Sequence, residues 1–243
     1  MATQPHLQVD AGDVTSIALL PGDPGRVRRI AEHLDDVETV AENREYTVVT
    51  GRYGDAELTV CSTGIGSPSA AIAVEELARV GVETFLRVGT TGALQADVEI
   101  GDMVVATAAA KDEGTTERYE PTAYPAVADF EAVAALREAA TANDEALHVG
   151  PVATDDAFYA ETEAYVESWS EAGILAVEME AAAILTLARR KGLAAGAICT
   201  VDGNLVRGTQ KGAGGEELPP KARDNVGRAI GLALDAAATL AES

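Results

Sequence analysis

The chain sets short, uncharged apolar runs against segments whose apolar residues recur at helical spacing. Ser16-Ile-Ala-Leu-Leu20 is apolar at nearly every position, which predicts a strand buried on both faces; Pro21-Gly-Asp-Pro-Gly-Arg26 and a helical pattern to residue 34 follow. Residues 46–53 and 58–62 predict a hairpin around Gly54-Asp55. Ser62-Thr-Gly-Ile-Gly-Ser-Pro-Ser69 leads into a helix over 70–80, and Phe85-Leu-Arg-Val-Gly-Thr-Thr-Gly92 predicts a strand that dissolves into a glycine turn. Residues 101–110 predict another strand, 111–125 a long polar connection, 126–142 an amphipathic helix and 148–154 a further strand. A helix over 161–171 carries Trp169 as a core residue. Residues 174–185 pass from a short strand into a helix ending near Lys191-Gly192. A buried strand over 194–201 ends at Asp202-Gly-Asn204, residues 207–220 predict a flap, and 221–240 a closing amphipathic helix. Strands thus interleave with helices along the chain without repeats or linker composition, which predicts one α/β domain over residues 1–243.

Composition narrows the setting. With 47% hydrophobic residues in 243, the chain can bury a large core, while 40 acidic against 18 basic residues leave a net charge of -22. Such a surface repels nucleic acid and anionic membranes. No acidic block is long, so the charge is spread over a folded surface, as a salt-rich cytosol would favour through screening. Cys61 and Cys199 both lie in apolar runs and read as free thiols of a reducing interior. No run approaches a membrane span and Met1-Ala-Thr-Gln-Pro5 lacks a signal-peptide core, so the expectation is a cytoplasmic protein.

The chemistry gathers at strand ends. Arg87 precedes glycines and Thr90, a pattern suited to an anion: the guanidinium holds two oxygens and glycines admit close approach. An arginine on a surface edge strand is the alternative. Gly22 and Arg26 repeat the pattern at a helix start, where backbone N–H groups and the dipole favour an anion. Gly64-Ile-Gly66 lacks the third glycine and the context of a dinucleotide site, which excludes NAD. Glu178 and Glu180 flank Met179 where strand becomes helix, either as a solvated helix start or as a ligand-facing pair suited to sugar hydroxyls. Asp202 is a turn former or the acid of a site. Phosphate, sugar and ring acceptors together suggest a nucleoside plus phosphate.

Pro21-Gly-Asp-Pro-Gly-Arg26, Arg87-Val-Gly-Thr-Thr-Gly92 and Val177-Glu-Met-Glu-Ala-Ala182 resemble the signature stretches of the nucleoside phosphorylase family that holds uridine phosphorylases and hexameric purine nucleoside phosphorylases. Cys61-Ser-Thr-Gly-Ile-Gly66, Phe85 to Ala93 and Tyr124-Pro-Ala-Val-Ala-Asp-Phe-Glu131 look closest to the uridine branch. The resemblance implies a three-layer α/β/α fold with a central mixed twisted sheet, and a pentosyltransferase without organic cofactor that converts nucleoside and phosphate to base and (deoxy)ribose 1-phosphate. It implies phosphate ligands at Gly22, Arg26, Arg87 and Thr90, with Arg44 lent by a neighbouring subunit. Met179 and Glu180, with Glu178 adjacent, match the ribose ligands, and His6 matches a histidine reaching the sugar from the partner. Phe158 packs on the base, with Thr91, Gly92 and Asp202 beside it; Arg87, Glu180 and Asp202 carry the catalysis. Glu45, Ile65 and Ser69 match a potassium site at a dimer interface, within a dimer-based hexamer. The sequence departs from the uridine branch where the glutamine and arginine that grip uracil would fall, near Thr162 and Ala164. Val201-Asp-Gly203 resembles parasite purine nucleoside phosphorylases, while Arg207 offers a donor to a pyrimidine carbonyl. Uridine phosphorylase is the leading expectation and a purine enzyme the alternative; a nucleosidase or a silent nucleoside-binding protein is disfavoured by the arginines.

Overall fold

The computed structural model describes residues 3–209 and 219–242. Within them ten strands form one mixed sheet: β1 Ile17–Leu20, β2 Asp35–Asn43, β3 Tyr46–Tyr53, β4 Ala56–Cys61, β5 Thr84–Ala93, β6 Met103–Asp112, β7 Ala126–Val127, β8 Leu147–Asp155, β9 Ala176–Glu178 and β10 Ala194–Asn204. Six helices accompany them: α1 Pro24–Ala31, α2 Ser67–Val80, α3 Phe130–Ala142, α4 Glu163–Glu171, α5 Ala181–Arg190 and α6 Pro220–Ala241. The sheet runs β10-β6-β8-β9-β5-β1-β4-β3-β2 and curls so that β10 pairs in parallel with β5 as well as antiparallel with β6.

The uninterrupted apolar run of β1 is explained by its two covered faces. Ala18 and Leu20 join a core with α2 and α5, while Ile17 and Leu19 join a second core with α1, α3 and α6. This is the expected three-layer α/β/α arrangement. No described helix is long and apolar enough to cross a membrane.

Two expectations are corrected and one strand is added. Gly89-Thr-Thr-Gly92 is no turn: β5 continues through it because β10 stays paired alongside, Cys199 opposite Gly89 and Val201 opposite Thr91. Arg87 therefore sits on a central strand, not an edge. Residues 126–142 divide into β7 and α3, since Asp129 caps the helix by accepting from Glu131 N and Ala132 N. Strand β2, Asp-Asp-Val-Glu-Thr-Val-Ala-Glu-Asn, was not anticipated: as the outer strand it buries neither face, and its carboxylates discourage further pairing. Of the flap expected over 207–220, residues 210–218 lie outside the described residues.

Candidate active site

The ends of β1 and β4 are stitched together. Thr63 N donates to Pro21 O at 2.9 Å and Gly64 N to Gly22 O at 3.0 Å. A Cβ on Gly22 would come within 3.2 Å of Gly64 O, so the close approach favours glycine. Asp23 then caps α1, accepting from Gly25 N at 2.8 Å, with Pro24 in the first turn. From that helix Arg26 reaches β5 and donates through Nη1 to Val88 O at 3.0 Å.

Arg87 lies beside it, 3% exposed. Its Nε is 2.8 Å from Glu178 Oε2, and its Nη2 forms an ion pair with Glu180. Nη1 is buried and finds no hydrogen-bond acceptor among the described residues, and Nε, though within ion-pair distance of Glu178, is not aligned for a hydrogen bond. Burial and then repulsion from Arg87 hold Arg26 below the usual arginine range. Two neighbouring guanidiniums, one buried and one on a half-buried arginine, with a donor left over make a place for an anion. Thr90, half-buried, follows on the same strand.

The glutamates divide the work. Glu178 is spent inside the protein: it accepts from Glu180 N at 2.8 Å, Ala181 N at 2.9 Å and Thr154 Oγ1 at 2.5 Å, besides pairing with Arg87. It is neither the solvated helix start nor an open sugar ligand. Glu180 heads α5, accepting from Gly66 N at 2.6 Å, and burial raises its pKa, Arg87 opposing and Glu178 adding. Ser67 Oγ donates to the carbonyl of half-buried Met179 at 3.1 Å, so the Gly66-Ser67 turn carries both sugar candidates.

Among the base-binding candidates Asp202 is 3% exposed, at the point where the β10–β5 register shifts between Val201 and Gly203. Such a bulge re-aims a strand-end side chain. Gly92 lies opposite Gly203, while the Thr91 hydroxyl is committed to Val177 O at 2.7 Å. Phe158 is half-buried, its ring 5.0 Å from that of Tyr159, which is 94% exposed. Thr162 caps α4, accepting from Tyr165 N at 3.2 Å, and Ala164 follows with no polar side-chain atom. Arg207 Nη1 stands 3.9 Å from Glu99 Oε1.

A second group stands apart from the arginines. His6 Nδ1 meets Glu76 Oε1 at 2.6 Å, and Asn43 Nδ2 donates to His6 O at 2.7 Å. Arg44 is exposed at the tip joining β2 and β3, with φ 56. Neither bonds to Arg26 or Arg87 among the described residues. Ser69 Oγ lies 3.1 Å from Ile65 O, and a Cβ on Gly64 would meet Glu45 Cγ at 2.8 Å, so the three potassium candidates share one corner. Ile65 itself is 81% exposed.

Sequence reasoning passed over Gly89, whose missing side chain makes room for the Arg87 guanidinium, and Thr154, which holds Glu178. Gly89 was visible inside the quoted motif, while nothing in the local sequence marked Thr154.

A family model described as the phosphorylase superfamily matches residues 16–238. Guanosine phosphorylase from Halorubrum lacusprofundi is 65% identical over 241 residues, covering 99% of this chain and 100% of that protein. Uridine phosphorylase from Thermococcus kodakarensis is 44% identical over 216 residues, covering 84% and 78%. The crystal structure of uridine phosphorylase from Vibrio fischeri superposes with a TM-score of 0.87 at 35% identity, covering 98% of both chains.

Proposed function

The chain belongs to the phosphorylase superfamily and is a nucleoside phosphorylase, and we propose that its preferred substrate is a purine nucleoside, guanosine foremost. The observation that carries this preference is the base side of the site. Thr162 is engaged in capping α4 and Ala164 has no polar side-chain atom, whereas a buried carboxylate, Asp202, stands at the β10 bulge. Uracil would thus lack the glutamine and arginine contacts that the resemblance to the uridine branch implies, while Asp202 suits the N–H-rich edge of a 6-oxopurine. The 65% identity to a guanosine phosphorylase supports the same reading.

In the proposed reaction Arg87 and Arg26, with Thr90 and the amides near Gly22, hold phosphate beneath the sugar. Glu180 and Met179 hold the ribose. A phosphate oxygen bonds to the anomeric carbon as the glycosidic C–N bond breaks, and the electron pair leaves with the base. The prepositioned arginines hold the phosphate anion, whose negative charge beneath the sugar stabilises the oxocarbenium-like state, and Asp202 supplies or directs the proton that neutralises the departing purine. Phe158 and Gly92 flank the ring. His6 and Arg44 complete the site of a neighbouring subunit, which supports a dimer-based hexamer, and Glu45, Ile65 and Ser69 offer oxygen ligands to potassium at the dimer contact. Salvage of nucleosides in a reducing, salt-rich cytoplasm suits the two free, buried cysteines and the charge of -22.

The test is base release from guanosine, inosine, adenosine and uridine in molar KCl, with and without phosphate. Phosphate-dependent cleavage of guanosine, at least about tenfold faster than uridine in kcat/KM, is expected of a pocket that withholds polar contacts from the smaller ring. Cleavage confined to uridine would overturn the base assignment, and cleavage indifferent to phosphate would overturn the phosphorolytic reading.

A further inference from the structure

We propose that Thr154 is a positioning residue for phosphate: its hydroxyl orients the Glu178 carboxylate, which in turn holds Arg87. The proposal rests on the reading of Arg87 as a phosphate ligand.

Thr154 lies near the end of β8, paired in parallel register with Glu178 of β9. It is fully buried at 0% exposure, so it touches no substrate. Its Oγ1 accepts from Ala182 N at 2.9 Å and lies 2.5 Å from Glu178 Oε1. A hydroxyl has one proton, and an ionised carboxylate only accepts, so that proton points at Glu178. The carboxylate is thereby gripped on three sides: by the hydroxyl, by the N–H groups of Glu180 and Ala181 at the start of α5, and by Arg87 Nε at 2.8 Å. The terminal torsion of a glutamate is broad; Oε2 is held by Glu180 N at 2.8 Å and Ala181 N at 2.9 Å, while Oε1 has from the backbone only a share of the same Ala181 N–H at 2.9 Å. Thr154 gives Oε1 its one unshared donor and so sets the plane of the carboxylate in which Oε2 meets Nε. Because the guanidinium is planar and rigid, its ion pairs with Glu178 and Glu180 together fix where Nη1 points.

Steady-state kinetics separate this role from simple capping of α5. The wild-type protein is first assayed with and without phosphate; absence of phosphate-dependent base release defeats the functional reading before Thr154 is tested. Given that release, Thr154→Val, which keeps the shape and loses the hydroxyl, is expected to raise the phosphate KM by roughly tenfold, the scale of a hydrogen bond to a charged group. The nucleoside KM should stay within about twofold, and Thr154→Ser should restore the phosphate KM, since it keeps the hydroxyl. A folded Thr154→Val with unchanged phosphate KM, or with both KM values raised alike and no rescue by serine, overturns the proposal; a fall in melting temperature alone marks a structural cap and overturns it too. Should Thr154→Val fail to fold, the phosphate-induced rise in melting temperature is compared between Thr154→Ala and Thr154→Ser. A smaller rise in alanine alone supports the proposal, and equal rises overturn it.

Discussion

Adding one methyl group at Gly89 should disable the phosphate site without touching a ligand residue. A Cβ built there would lie 2.8 Å from Arg87 Nη2, 2.9 Å from Arg87 Cζ and 2.9 Å from Cys199 Sγ. The backbone has little room to yield: Gly89 is paired with Cys199 of β10, and two residues earlier Arg87 is paired with both Leu20 of β1 and Ala197. An arginine tip elsewhere would swing aside, but this one is pinned between Glu178 and Glu180. Overpacking in a filled core costs about 1–3 kcal/mol, and full rupture of a buried ion pair about 3–5 kcal/mol. Partial displacement therefore predicts a loss of about 3 kcal/mol for Gly89→Ala. At roughly 2–4 °C per kcal/mol for a chain of this size, the melting temperature should fall by roughly 6–12 °C. A guanidinium displaced by about 1 Å should lower kcat/KM for phosphate by about a hundredfold. Thermal unfolding and phosphate-dependent base release, both at fixed high KCl, measure the two effects. The double variant Gly89→Ala/Cys199→Ala relieves only the sulfur contact, so it should recover melting temperature but not the phosphate KM. Wild-type phosphate kinetics in Gly89→Ala, or their recovery in the double variant, would refute the account of a glycine kept to seat Arg87.

Three further outcomes follow from the same geometry. Arg87→Ala should abolish phosphate-dependent turnover and also destabilise the fold, because it strands two buried carboxylates; with Glu180 already raised by burial, the stability it contributes is greatest below the unfolded carboxyl pKa of about 4.3 and lost as pH rises through the folded value. The deficit against wild type, read from urea midpoints, should widen from acid to neutral pH, and a constant deficit would contradict it. Arg44→Ala and Arg87→Ala, each inactive alone, should regain about a quarter to a half of activity when co-assembled, since mixed neighbours contain one intact site; additive inactivity would remove Arg44 from the shared site. The melting temperature should climb strongly from low to molar KCl as salt screens a net charge of -22, and a flat response would sink the salt-rich setting.

What the sequence determined by itself was local and periodic. Runs apolar on both faces announced β1, β5 and β10, and helical spacing announced α2, α5 and α6, because burial demands leave a period that one reads directly. The glycine-plus-arginine stretches and the Glu-Met-Glu turn were legible for the same reason: each is contiguous, and its chemistry is in its residue types. Strand β2 was not legible, since an outer strand with exposed carboxylates carries no alternation. Tertiary structure alone decided partnership. The sequence left Arg87 open between anion site and exposed strand, and only the pairing of β5 with both β1 and β10 buried it beside Arg26. It left Glu178 and Glu180 as an undivided pair, and only the arrival of Thr154 from β8 and of Gly66 from the turn after β4 gave them different donors. Contacts between residues 24 and 114 positions apart leave no periodic trace in the chain, so hydrogen-bond satisfaction across the sheet had to be seen in space.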